Sequence, residues 1–302
     1  MAVLEKDFYL LDGGLSNAIK KLGGNVNNQL WTADLIHHQE EVIKNAHLNY
    51  LKSGAEIIIS SSYQASIKGF MENGFSHEVA IDLLKKTTEI AQSAKEEYRA
   101  ISKREVFIAG SIGPYAAYLA DGSEYKGYDE AVDENTLRSF HNERLKIIDA
   151  TDIDVLAVET IPSLEEAKVL NDLIEKCEHK AWFSFSCKNE KQLNDGTDII
   201  DIVSLLKHNN NVMALGINCT HPKYILGLIS EILNAGWKKK LVIYPNAGMV
   251  YNPYTKTWLG TSSPEDFLTL ALQWKEAGAN IIGGCCEISE EHIHLLHKRL
   301  VS

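Results

Sequence analysis

Basic charge is scarce in this chain. Its 302 residues carry 30 Lys and Arg against 41 Asp and Glu, a formal net charge of -11. That balance argues against a nucleic-acid partner, which calls for a basic face. The densest basic cluster, Lys238-Lys239-Lys240, stands just before an apolar run and reads as a helix-end cap. No apolar run approaches the roughly 20 residues that span a bilayer, so no membrane partner is expected. The opening Met-Ala-Val-Leu-Glu-Lys-Asp has no basic stretch leading into an apolar core, so no secretory leader is expected either. Cysteines number five, an odd count, with none of the spacings of a disulfide framework. A reduced, cytoplasmic protein whose thiols bind metal or pack in the core fits that count. The glycine-rich nucleotide loop is missing, because Gly13-Gly14-Leu15-Ser16 lacks the GxGxxG spacing. The eleven histidines show no HExxH spacing. His37-His38 and the set His292, His294 and His297 fall on helical stretches and read as solvated faces. No linker, low-complexity tract or short repeat divides the chain, so one domain over residues 1–302 is expected.

What is present is alternation. Short, nearly continuous apolar runs end in polar or glycine-bearing residues: 8–12, 56–60, 106–110, 155–158, 181–185, 213–219, 241–244 and 281–286. Runs apolar on both faces are the mark of buried parallel strands. Between them lie amphipathic stretches, predicted as helices over 32–51, 77–104, 134–151, 163–177, 198–209, 222–235, 264–277 and 289–300. Several follow Ser, Thr or Asp, and several stop at Ala-Gly or Ser-Gly before the next strand. Strand, loop and helix repeated about eight times predict an α/β fold, a (β/α)8 TIM-type barrel. A doubly wound sheet is the alternative. In a barrel the chemistry sits at the carboxyl ends of the strands. Asp12, Tyr63, Ser111, Glu159, Asn218, Cys219, Asn246, Cys285 and Cys286 occupy such ends here. The long loop from Tyr115 to Asp129 follows the third strand and is placed to act as a lid or binding loop.

Three of the cysteines stand out. Cys285 and Cys286 close a run carrying Gly283-Gly284, and Cys219 closes a similar run upstream. Three thiolates on neighbouring strand ends form a zinc site with one position open. Adjacent residues on a regular strand face opposite ways, so Cys285 and Cys286 share one ion only if the backbone turns there. The Gly-Gly pair permits that turn. Three buried structural thiols are the alternative.

Several stretches together resemble the homocysteine S-methyltransferase family, in its branch that uses S-methylmethionine or S-adenosylmethionine. The carriers are Leu11-Asp12-Gly13-Gly14, Ser62-Tyr63-Gln64-Ala65-Ser66 and Gly110-Ser111-Ile112-Gly113-Pro114-Tyr115. With them go the Ala120-to-Tyr125 loop, Glu159-Thr160-Ile161-Pro162, Gly216-Ile217-Asn218-Cys219-Thr220, Tyr244-Pro245-Asn246 and Gly283-Gly284-Cys285-Cys286. The resemblance implies a zinc-dependent transfer of methyl from a sulfonium donor to the sulfur of L-homocysteine, giving methionine. It implies Zn²⁺ on Cys219, Cys285 and Cys286, and Glu159 on the homocysteine ammonium. Asp12 with the amides of Gly13 and Gly14 would hold the amino-acid end of that substrate. Trp31 and Tyr63 would wall the donor, where a sulfonium over an aromatic face gains cation–π energy. Asn218 would orient the Cys219 loop. Plain rim packing is the alternative for Trp31 and Tyr63, and a helix cap for Asp12 and Glu159. The chain departs from the family twice: Glu287 follows the double cysteine where Arg is usual, and Ala116 stands where Gly is usual. Glu287 is expected to face away from the metal, because its carboxylate would be repelled by the thiolates. A zinc hydrolase would want His or carboxylate ligands and a base beside bound water. An inert zinc-storing barrel would need neither Glu159 nor the Asp-Gly-Gly turn.

Overall fold

The computed structural model describes residues 3–26, 31–123, 127–128, 132–248, 250–252, 257–259 and 263–301. Eight parallel strands make one sheet: β1 (Tyr9–Leu10), β2 (Ile57–Ile59), β3 (Phe107–Ile112), β4 (Val155–Ile161), β5 (Ala181–Phe185), β6 (Val212–Asn218), β7 (Lys240–Tyr244) and β10 (Ile281–Ile282). An antiparallel pair, β8 (Val250–Asn252) and β9 (Thr257–Leu259), lies between β7 and β10 in sequence. The order around the sheet is β1-β10-β7-β6-β5-β4-β3-β2. Its two ends meet. Leu11 bridges Ile57 in parallel, the Asp12 amide donates to the Ile57 carbonyl at 3.0 Å, and the Glu56 amide donates to Leu10 at 2.7 Å. Closure in sequence order makes this a barrel and rules out the doubly wound sheet, whose order reverses at a switch point.

Side chains alternate along each strand and feed two cores. Tyr9, Leu11, Ala109, Val155, Ala157, Trp182, Val242 and Tyr244 fill the barrel. Leu10, Ile58, Ile108, Leu156, Phe183, Leu215 and Ile243 point outward and pack under the helices. The mix of aromatic and small residues inside follows from the limited width of an eight-stranded barrel. Burial on both faces is why these strands read as unbroken apolar runs.

The helices begin where side-chain acceptors allow it. Ser66 accepts from the Gly69 amide at 3.1 Å, Asp133 from Thr136 at 2.8 Å, Ser163 from Glu166 at 3.3 Å and Ser263 from Asp266 at 3.1 Å. Each bond satisfies one of the amides left open in a first helical turn. The predicted helix over 32–51 is two, Trp31–His38 and Glu40–Ser53, broken at Gln39. The stretch from 222 starts as one tight turn, Pro222–Tyr224, before the helix Ile225–Asn234. The histidine set near the carboxyl end is not all solvated. His292 is buried, its ring edge-on to Phe267 at 5.7 Å, and it closes a capping box with Ser289.

Candidate active site

Three strand ends bring the thiols together. Cys219 leaves β6 with a left-handed φ of 46°. β10 stops at Ile282, and the chain then turns through Cys286-Glu287, with Glu287 at φ 64°. The Cys285 amide donates to the Pro245 carbonyl at 2.9 Å, and the Ala247 amide to the Cys286 carbonyl at 3.1 Å, so the turn is stitched to the end of β7. The sulfurs of Cys219, Cys285 and Cys286 lie within 4.8 Å of one another. A zinc ion about 2.3 Å from each sulfur in a tetrahedral set would hold them about 3.8 Å apart, so the trio fits that ion. Hydrogen bonds from Cys219 and Cys285 hold the Cys286 thiol well below its ordinary range, and Lys20 adds to the effect. The bond with Cys285 pushes Cys219 well above it. The other two cysteines stand apart, as expected. Cys187 is buried at the end of β5, where its amide donates to the Thr220 hydroxyl at 2.9 Å. The Cys177 thiol, facing the Leu173 carbonyl at 3.6 Å, is pushed up to about 12 by burial.

Glycines seat the cysteine turn. A Cβ on Gly14 would stand 2.6 Å from the Cys285 carbonyl, and one on Gly13 would stand 2.5 Å from that of Ile288. The Asp-Gly-Gly turn is therefore a wedge beneath the cysteines. Of the two amides expected to face a substrate carboxylate, that of Gly14 is taken up by the Ile288 carbonyl at 2.9 Å.

Two buried carboxyls share the mouth. The Asp12 carboxyl accepts from the Ile59 amide through Oδ2 at 2.9 Å, while its Oδ1 is buried without a partner. Burial raises it well above the usual carboxylate range, against the Ile59 bond, and the charge of Glu159 raises it further. Glu159 accepts from the Ser111 hydroxyl at Oε1 and from the Tyr244 hydroxyl at Oε2, the latter at 3.1 Å. Tyr244 is in turn held by Ser184 and by the Trp182 indole at 3.2 Å. Burial pushes the Glu159 carboxyl up to about 7, although the bonds from Ser111 and Tyr244 and the Arg144 charge lower it.

A bulge aims that carboxyl. Val158 pairs with Phe183 but Ile161 pairs with Phe185, so β4 holds one residue more than β5 across that interval. The extra residue bends the strand. Thr160 takes φ 59°, which is rare for a β-branched residue. Asn218, expected to orient Cys219, reaches across to Thr160. Its Oδ1 accepts from the Thr160 amide at 2.8 Å, and its Nδ2 donates to the Thr160 hydroxyl at 2.6 Å. One side chain thus ties the Glu159 strand end to the Cys219 strand end.

Tyr63 is half-buried after β2, and a Cβ on Gly113 would meet its ring at 2.7 Å, so only glycine leaves it room. Trp31 opens the helix Trp31–His38, and its side chain lies outside the described residues, as do Glu124 and Tyr125 of the long loop. The sequence reading assigned no role to Tyr244, Ser184, Trp182, Arg144 or Lys20. For Tyr244, Ser184 and Trp182 the available signal was polar atoms at strand positions, which need partners when buried; Arg144 and Lys20, on helices, gave none.

The mouth of the closed parallel barrel thus carries three clustered thiols that could hold a metal ion, beside two buried carboxyls. Residues 9–300 match the family described as homocysteine S-methyltransferase. The chain is 38% identical to homocysteine S-methyltransferase 2 of Arabidopsis thaliana, over 98% of this chain and 93% of that one. It is 40% identical to homocysteine S-methyltransferase YbgG of Bacillus subtilis (strain 168), over 94% and 91%. Among solved structures, the metallated form of the homocysteine methyltransferase MmuM of Escherichia coli superposes with a TM-score of 0.86. That pair is 34% identical, over 98% of this chain and 97% of that one. The chain belongs to the homocysteine S-methyltransferase family. It is a methyltransferase acting on homocysteine, and its three-cysteine cluster, Cys219, Cys285 and Cys286, could hold the metal.

Proposed function

We propose that the methyl donor is a sulfonium compound, S-methylmethionine or S-adenosylmethionine, and that the product is methionine. The observation that supports this most is the pairing of a three-thiol site with two buried carboxyls in one mouth. Zinc held by Cys219, Cys285 and Cys286 would supply the Lewis acidity that lets a substrate thiol ionise near neutral pH. Glu159 receives the homocysteine ammonium in a charge-assisted hydrogen bond, held in place by Ser111 and Tyr244. Asp12, with Oδ1 unpartnered, is the second acceptor for the same group. The homocysteine sulfur then forms a bond to the methyl carbon as the carbon–sulfonium bond breaks. The electron pair of that bond leaves on a neutral thioether, and the thiol proton goes to solvent. The leaving group needs no acid, so these residues bind and align rather than protonate. Tyr63 offers a partly exposed ring to the donor cation. The metal thiols have to stay reduced, so the enzyme works in a reducing compartment such as the cytoplasm.

The test is methionine formation from homocysteine with S-methylmethionine, S-adenosylmethionine or betaine in separate reactions. Turnover with a sulfonium donor and little with betaine is expected. Betaine turnover equal to that of both sulfonium donors would remove the reading.

A further inference from the structure

Behind the mouth lies a polar cluster that none of this chemistry uses. Glu166, on the helix Leu164–Ile174, is fully buried. Its Oε1 accepts from the Tyr115 amide at 2.6 Å and from His141 Nε2 at 2.8 Å. Its Oε2 accepts from the Tyr128 hydroxyl at 2.6 Å, and that hydroxyl accepts from the Ala116 amide at 3.0 Å. One carboxylate therefore holds both the start and the far side of the loop after β3. One turn along the helix Glu134–Asp149 from His141 stands Arg144, also buried. Its guanidinium donates to the Gly113 carbonyl at 2.8 Å, to Ser62 at 2.6 Å and to Tyr63 at 2.9 Å. Burial lowers the His141 pKa despite the neighbouring carboxylate, so this ring is a neutral donor through Nε2.

Burying a carboxylate and a guanidinium here gains little stability over apolar side chains of similar volume. What the arrangement does give is position. Every partner of Glu166 and Arg144 named above, His141 apart, belongs to the segments after β2 and β3. None belongs to the cysteine turn or to β4, where only the charge of Arg144, and no hydrogen bond, reaches Glu159. We propose that Glu166, with His141 and Arg144, is a positioning clasp for the donor side of the active site: it fixes Tyr63, Tyr115 and Tyr128, and makes no hydrogen bond to the residues that hold homocysteine or the metal. The proposal rests on the reading of the loop after β3 as donor-binding.

Tyr128→Phe removes one hydroxyl from the clasp and is the mildest probe. Glu166→Gln keeps an oxygen for the Tyr115 amide and an NH₂ for the Tyr128 oxygen, whereas Glu166→Ala keeps neither. Amide hydrogen exchange over 115–123 and steady-state kinetics with each substrate varied are measured on the zinc-loaded proteins. In Tyr128→Phe, exchange over 115–123 should quicken and the donor KM should rise about tenfold, as loss of one hydrogen bond to a charged group implies. The homocysteine KM should stay within about twofold and zinc should stay stoichiometric. Glu166→Gln should restore most of what Glu166→Ala loses. Unchanged exchange in Tyr128→Phe would overturn the clasp itself. Faster exchange with an unchanged donor KM would overturn the donor-binding reading of the loop. An equal rise in both KM values would reduce the cluster to general scaffolding and overturn the proposal.

Discussion

Glu159 is the residue whose chemistry depends most on its surroundings. Its pKa stands at about 7 against an ordinary 4.5, because burial penalises the charged form. The native state therefore holds a proton that the unfolded chain releases between those values. This group's contribution to stability is full below about pH 4.5 and is lost as pH rises through about 7. A substrate ammonium reverses the preference, since it pairs only with the carboxylate. Below pH 7, homocysteine binding should then expel a proton from Glu159, and affinity should climb with pH up to that point. Calorimetry at pH 6 in buffers of different ionisation enthalpy should show one proton more released by the wild type than by Glu159→Gln. Equal release would count against the assignment. Glu159→Ala should keep its zinc and lose roughly 2–5 kcal/mol, about thirty-fold to several thousand-fold in kcat/KM, chiefly through homocysteine. The thiols divide as sharply. Cys285→Ser should lose stoichiometric zinc, and Cys187→Ser should retain it, by metal analysis of the purified variants. The opposite pattern would remove Cys285 from the ligand set.

At the scale of elements, the bulge in β4 is what turns a barrel strand into a binding strand. Asn218 holds it by two hydrogen bonds to a Thr160 in left-handed conformation. Asn218→Ala should cost about 2 kcal/mol, at roughly 1 kcal/mol for each bond lost, read from urea unfolding. It should also raise the homocysteine KM. A loss below about 0.5 kcal/mol would mean that the bulge stands without Asn218. None of this was legible in the sequence, where 155–160 reads as a plain strand ending in Glu-Thr. The strands were legible because both their faces are buried, which leaves a run with no polar interruption. The helix starts were legible because capping uses a short-range pattern. The break at Gln39 was not, because it lies in a stretch whose apolar spacing continues across it. The clasp was invisible for a different reason. Glu166 and Arg144 sit on amphipathic helices, where charged residues ordinarily face water, and only the third dimension shows which ones turn inward. The thiol trio was legible because a double cysteine at a strand end has few structural uses.

At the scale of the whole molecule, the barrel's interior and its outer shell are separate cores, and a single strand completes both. β10 pairs with β7 on one side and β1 on the other, so it is the stave that joins the last strand of the series to the first. The cysteine turn follows that strand directly, while the third thiol waits on β6. A growing polypeptide emerging from its amino end therefore displays Cys219 long before the metal site can exist. Cys285 and Cys286 come within reach of Cys219 only when the final stave has paired with β7, itself paired with β6. Metal capture thus doubles as an inspection of the finished barrel: an incomplete chain has one of the three ligands and cannot be charged. The coupling runs in reverse as well, since an ion that binds only the closed form stabilises closure. Treatment of the zinc-loaded enzyme with a chelator should therefore speed amide exchange first at Leu11 and Gly284, whose amides cross between β10 and β1, while β3 to β5 stay protected. Exchange that quickened evenly round the barrel would show that zinc does not guard this joint. If it does, zinc starvation would leave the enzyme with its seam ajar and the opposite staves intact, a population that proteases could sort by metal content alone.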